Sequence, residues 1–412
     1  MTARTPIFAL TLAFSLPCSA ADWPWWRGEH RNGVADANQK PPVEFNAKSN
    51  VRWVTPVPGR GHGSPTVFGK RVFLAIADEQ AKTQSLLCVD RDTGKPLWTT
   101  LVHDGGFPSK TNKKASHASS TPACDGERVY INFMNSGAAY TTALTLDGKK
   151  IWQNRLCDYV VHQGYGSSPA IYKSLVIVSA DNKTGGAICA FNRSDGELAW
   201  KVDRPKFPNY ASPAIYNING RDQLLFQGCN LVTSLEPLTG KTIWEIKGAT
   251  TECVSTLVTD GERVFSSGGY PKNHVAAITA DGSGEVVWAN TSRVYVPSML
   301  VKDGYLFAVM DSGVAVCWNS KTGEMKWKER LGRTTSGSPV LVGNHIYCGD
   351  ETGHFFVFAA DPKKFTIVAS NKLADENFSS PAICGGQIFV RVADRDGDKR
   401  QEKLYCIASD RR

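Results

Sequence analysis

The chain has 412 residues, 42% of them hydrophobic and 21% charged, which is enough to bury a core without help from disulfides or metals. Glycine and proline together make up about 14% of it, too little for a collagen-like or low-complexity chain. The net charge of +8 excludes an acidic-tail protein and gives no reason to expect a nucleic-acid partner.

Residues 1–20 read as a secretory signal peptide: Arg4 precedes an apolar run from Ile7 to Leu16, and Cys18-Ser19-Ala20-Ala21 supplies small residues for cleavage. Acylation of Cys18 is not expected, because Ser15 and Pro17 occupy the places where a lipoprotein signal carries Leu and a small residue. No later run of 18 apolar residues exists, so no spanning helix is predicted. Residues 21–50 form a Trp-rich segment with Trp23, Trp25 and Trp26, expected to cover one face of the fold that follows. The ten cysteines after Cys18 include neither a CxxC nor an adjacent pair. Several sit in apolar runs (Cys88, Cys317, Cys406) and are read as small buried hydrophobes.

Residues 51–412 repeat. A Ser-Pro dipeptide or a near relative starts a unit at Ser64, Thr121, Ser168, Ser212, Thr256, Ser298, Ser338 and Ser380, with spacings of 40 to 57 residues. Two strand-like runs follow each start, as in Arg-Val-Phe-Leu-Ala (71–75). Then come an Asp- or Asn-initiated turn closed by Gly and a last strand that carries Trp. Those tryptophans are Trp98, Trp152, Trp200, Trp244, Trp288 and Trp327; the unit around Phe365 has none. Four short strands per 40–45 residues is the period of a propeller blade. The final unit is one strand short, and the run around Trp53 can supply it. The predicted fold is all-β, a single eight-bladed propeller of four-stranded antiparallel blades closed by an N-terminal strand.

The motif Asp/Asn-x-x-Thr/Asp-Gly-Lys/Glu-x-x-Trp stands at Asp90–Trp98, Asn192–Trp200 and Asn319–Trp327. It resembles the quinoprotein-type repeat family, named for pyrroloquinoline quinone (PQQ) dehydrogenases. The resemblance implies that the Gly turns and Trp53, Trp98, Trp152, Trp200, Trp244, Trp288 and Trp327 form a docking belt between blades. Dehydrogenases of this type hold PQQ over the channel with Ca²⁺ on oxygen ligands and a carboxylate base. They commonly carry adjacent cysteines or a CxxCH haem site, and neither occurs here. In length, export and repeat type the chain is also similar to the propeller lipoproteins of the outer-membrane β-barrel assembly machine, which bind partners and do no chemistry. The segment from Asp22 to Val34 is similar to the leaders of exported propellers of this kind.

The function expected is therefore that of a periplasmic or secreted, monomeric, non-catalytic binding or scaffold propeller. It has no cofactor and no metal, and its partner is an envelope protein or glycan. A PQQ- and Ca²⁺-dependent oxidoreductase acting on alcohols or sugars is the alternative. Binding is assigned to the channel rim: His62, His117, Tyr165, Tyr210 and Tyr295. The residues two places before each repeat start (His62, Ser119, Gly166, Tyr210, Val254, Val296, Ser336, Phe378) vary as a binding face would, whereas those one place before are all small, as backbone crowding at the axis requires. Asp394-Arg395-Asp396-Gly397-Asp398 is dense in carboxylates but lacks EF-hand spacing and is read as a hairpin. Lys110, Lys113 and Lys114 lie in the longest insertion and are read as a solvated loop able to meet an acidic partner. No phosphate loop, HExxH or nucleophile elbow is present.

Overall fold

The computed structural model describes residues 22–409. The signal peptide and Cys18 lie outside the described residues. Among these residues there is no helix, and the strands fall into eight sheets, each built on four antiparallel strands from axis to rim, with a short fifth strand added to one of them. This is the eight-bladed propeller that the repeat predicts. In the first blade the strands run Thr66–Phe68, Arg71–Asp78, Thr83–Asp90 and Pro96–Asp104. The two middle strands are buried on both faces, because a neighbouring blade covers each side, whereas the outer strand alternates between exposed and partly covered.

The ring closes as the short last unit requires. Val51–Val57 pairs antiparallel with Lys399–Ile407 and sets Trp53 opposite Cys406. Six of the seven closing Trp then reach into the turn of the next blade. The Trp53 indole donates to Arg91 O (2.9 Å), Trp98 to Leu146 O (2.9 Å), Trp152 to Arg193 O (3.2 Å) and Trp200 to Pro237 O (3.1 Å). Trp288 and Trp327 do the same to Ser320 O and Asp361 O. The turn must be glycine where the ring lies on it: at Gly94 (φ +72°) a methyl group would come within 2.6 Å of the Trp53 ring. Trp244 departs from the rule. Its N–H meets Gln223 Oε1 of its own blade, and the ring stands further off Gly282.

The seventh blade lacks a Trp for a geometric reason. Its outer strand, Ile367–Lys372, carries Ala369 at the corresponding place. The neighbour it faces is the closing blade, where Ala408 meets Asn50 instead of a continuous turn. The Trp-rich segment takes over there: Phe45 N donates to Asn371 Oδ1, Asn371 Nδ2 donates to Val43 O, and Phe45 is buried.

That segment crosses the whole lower face and bonds to the inner strand, or its start, in every blade.

 Trp23 pairs with Val67 through two backbone bonds of 2.9 Å, and Pro24 O accepts from Cys124 N. Arg31 donates to Ile171 O, and Tyr216 Oη donates to Arg31 O. The Trp26 indole donates to Thr256 Oγ1 (2.8 Å), Arg27 to Met299 O and Pro339 O, and Gln39 to Ile383 O. Val34–Ala35 adds a short parallel strand to the seventh blade, which the repeat pattern does not foretell. All ten cysteines among the described residues are free, and nine of them are buried. Burial pushes the Cys88 thiol up to about 12, as befits a packing residue.

Candidate functional site

The eight repeat starts converge on the axis, where their hydroxyls form a belt. Ser64 N donates to Thr121 Oγ1, Thr121 N to Ser168 Oγ, and Ser168 N to Ser212 Oγ. Across the ring Thr256 N donates to Ser298 Oγ, Ser298 N to Ser338 Oγ, Ser338 N to Ser380 Oγ and Ser380 N to Ser64 Oγ. These seven links are 2.7 to 3.0 Å long. The joint between Ser212 and Thr256 is the one left open, and there the Trp26 indole engages Thr256. Each of the seven accepting hydroxyls satisfies a backbone N–H that the axis would otherwise strand without water. Sequence reasoning noticed the Ser-Pro spacing and missed this role; the hydroxyl recurring at the same place was the available signal.

Above the belt lies a cavity of about 400 Å³ floored by Trp26. All eight residues two places before the repeat starts line it, together with Tyr165 and Tyr295. The alternation follows from an extended chain, in which successive side chains point to opposite sides. The intervening position is held small by neighbouring backbone: a methyl group on Gly63 would lie 2.4 Å from Ser120 O.

The five rim residues named from the sequence do not all meet. His62, Tyr165, Tyr210 and Tyr295 line the cavity, whereas His117 does not. It turns into a side crevice behind Tyr165 and packs on Phe107, ring centroids 4.1 Å apart, because the 105–118 insertion folds its own aromatic back over it. Tyr165 and Tyr210 are buried in the wall. Tyr165 Oη donates to Ser179 O (2.9 Å). The His62 ring stacks on Phe378 at 4.6 Å. Burial first, then the charges of Arg60, Arg391 and Arg400, holds it well below the usual imidazole range, so it is neutral.

Two carboxylates that sequence reasoning passed over stand near the mouth. Glu252 is buried, accepts from Tyr295 Oη (3.1 Å) and lies 3.2 Å from His162 Nδ1. Glu351 accepts from Ser336 Oγ (2.7 Å) and pairs with Lys114 at 2.8 Å. Lys114 therefore finds its acid within the chain, and the insertion leans over the mouth from the first blade to the seventh. Asn112 N, from the same insertion, bonds to Gln163 O. The Asp394–Asp398 stretch is the hairpin between Gln387–Asp396 and Lys399–Ile407, with Asp394 paired to Lys403. No group of three or more His, Cys, Asp or Glu placed to hold a metal ion occurs among the described residues.

Quinone chemistry of the type for which the repeats are named needs a cation on oxygen ligands and a carboxylate base. The residues lining the cavity include no Asp, Glu or Arg, and the two acids nearby are engaged as described. The residues present do not fit PQQ with Ca²⁺.

Fold and site together define the class: an eight-bladed propeller of quinoprotein-type repeats, with a floored central channel. Residues 82–292 and 271–364 match the family described as "Outer membrane protein assembly factor BamB". The chain belongs to that family. It is 24% identical over 341 residues to the outer membrane protein assembly factor BamB of Moranella endobia (strain PCIT), covering 80% of this chain and 82% of the relative. The solved structure of BamB from Moraxella catarrhalis superposes with a TM-score of 0.61 at 13% identity, over 86% of this chain and 96% of that one. A europium-containing methanol dehydrogenase superposes with a TM-score of 0.69 at 11% identity, over 94% and 98%. At such identities the superpositions speak to the fold alone.

Proposed function

We propose that the protein is an exported, periplasmic or secreted scaffold propeller of the cell envelope, monomeric and non-catalytic, that docks an outer-membrane assembly protein on the face bearing the channel mouth. In this reading residues 1–20 are removed, 21–50 form the lower cover and 51–412 the ring. The observation that carries it is membership of a family described as an outer membrane protein assembly factor. The surface supports it. Val160, Phe207 and Tyr270 are large, exposed side chains on loops of the mouth face, the kind of anchors from which interfaces gain most. His62, Tyr165, Tyr210 and Tyr295 sit beneath them as the wall of the channel mouth, with His117 to one side, and hold the loops rather than meet the partner.

The test is capture of outer-membrane proteins from the source envelope by the immobilised mature protein. Phe207→Ala and Tyr270→Ala together should lower capture of one defined assembly protein about tenfold or more, with the unfolding midpoint unchanged. Capture that is indifferent to both substitutions overturns the docking face. Dye-linked oxidation of alcohols or sugars by PQQ-reconstituted protein, lost when Ca²⁺ is removed, overturns the non-catalytic reading.

A further inference from the structure

The hydroxyl belt has a second side. Ser64, Thr121, Ser168, Ser212, Ser338 and Ser380 line the cavity and are all more than nine-tenths buried. Where a belt hydroxyl accepts a backbone N–H, its lone pair is used and its own proton is not. None of these six hydroxyls donates a hydrogen bond among the described residues. Unspent buried donors and acceptors cost free energy unless something takes them up.

We propose that the channel is a binding site for a neutral saccharide of one or two rings, seated between the Trp26 floor and the aromatic mouth. A cavity of about 400 Å³ lies within the usual range for small-molecule sites. The lining contains no carboxylate or guanidinium, and Lys114, its one cation, is paired with Glu351. A charged ligand would thus lose its hydration without gaining a counter-ion. A sugar hydroxyl accepts as readily as it donates, so one ring can take up several of the unspent belt protons. Its C–H faces pack on the apolar ring surfaces of Trp26, Tyr210 and Tyr295, which line the cavity. Trp26 comes from the leader, so the floor of the site is built by a segment outside the repeats. The site lies below the docking face proposed above and does not depend on that reading.

The experiment is titration calorimetry and thermal unfolding of the mature protein with glucose, galactose, N-acetylglucosamine, maltose and cellobiose, with glucuronate as the charged control. At least one neutral sugar should bind with one-to-one stoichiometry and at least tenfold more tightly than glucuronate. At a hundredfold excess over Kd it should raise the midpoint by about 3 °C. Val254→Trp and Val296→Trp, which fill the cavity from two different blades, should abolish the heat of binding while leaving partner capture intact. Two independent fills keep the test alive if one of them fails to fold. No binding heat from any of these sugars at millimolar concentration overturns the proposal. So does an equal midpoint rise in the filled variants, which would be the general stabilisation that excluded sugars give any protein.

Discussion

The contact between Trp200 and Gly240 offers a direct test of how the blades are held together. Trp200 is 8% exposed and donates to Pro237 O, and its ring lies against Gly240, whose φ is +69°. Trp200→Ala removes the ring and should cost about 3–5 kcal/mol through the cavity left behind. Gly240→Ala carries two penalties. An L side chain in the left-handed region costs about 1–2 kcal/mol. The added methyl would sit 2.6 Å from the indole, overpacking the joint by about 1–3 kcal/mol. In the double variant the indole is gone, so only the backbone penalty survives. The two substitutions should therefore couple by about 1–3 kcal/mol. Gly137 is the internal control: its φ is +72°, yet a methyl group there meets nothing within 4 Å, so Gly137→Ala should show the backbone penalty alone. Urea unfolding of the four members of the cycle and the control supplies the numbers. Additivity within about 0.5 kcal/mol, or equal losses for Gly137→Ala and Gly240→Ala, would refute the claim that the indole requires glycine beneath it.

Two further outcomes are expected. Burial, and then the Lys150 charge, lowers His103 from 6.5 to about 4, and His62, His117 and His274 are lowered as well. Between those values the unfolded chain binds more protons than the folded one, so stability is fully present above about 6.5 and falls as the pH drops towards 4; urea midpoints that stay level from pH 7.5 to 4.5 would contradict this. Arg391 and Glu402 form an ion pair with side chains 2% and 1% exposed, so Glu402→Gln alone should cost about 3–5 kcal/mol, and the paired replacement Arg391→Leu with Glu402→Leu should cost less, because it leaves no lone buried charge. A double variant less stable than the single one would show that the pair itself, and not the stranded arginine, sets the loss.

The blade count, the short last unit and its completion by the strand around Trp53 could all be read from the chain, because each depends on patterns local in sequence. Turn glycines, strand alternation and the Trp at a fixed distance from the turn repeat every 40–57 residues, whatever the ring around them does. The varied position before each start was likewise legible as channel lining, since extended chain alternates. Other features were settled only when distant residues met. Lys114 reaches Glu351 across 237 positions, and Arg27 reaches Pro339 across 312. No local pattern encodes such a meeting. His117 was assigned to the mouth because it precedes a repeat start, but the path of the insertion turns it aside onto Phe107. Glu252 gave no sign in sequence, since a single acid in a loop acquires meaning only when Tyr295 and His162 close around it. The leader's tryptophans were visible from the start, but the engagement of the whole segment with all eight blades was not. A ring brings every inner strand to one axis, and a single segment laid across that axis touches in space what the chain keeps hundreds of residues apart.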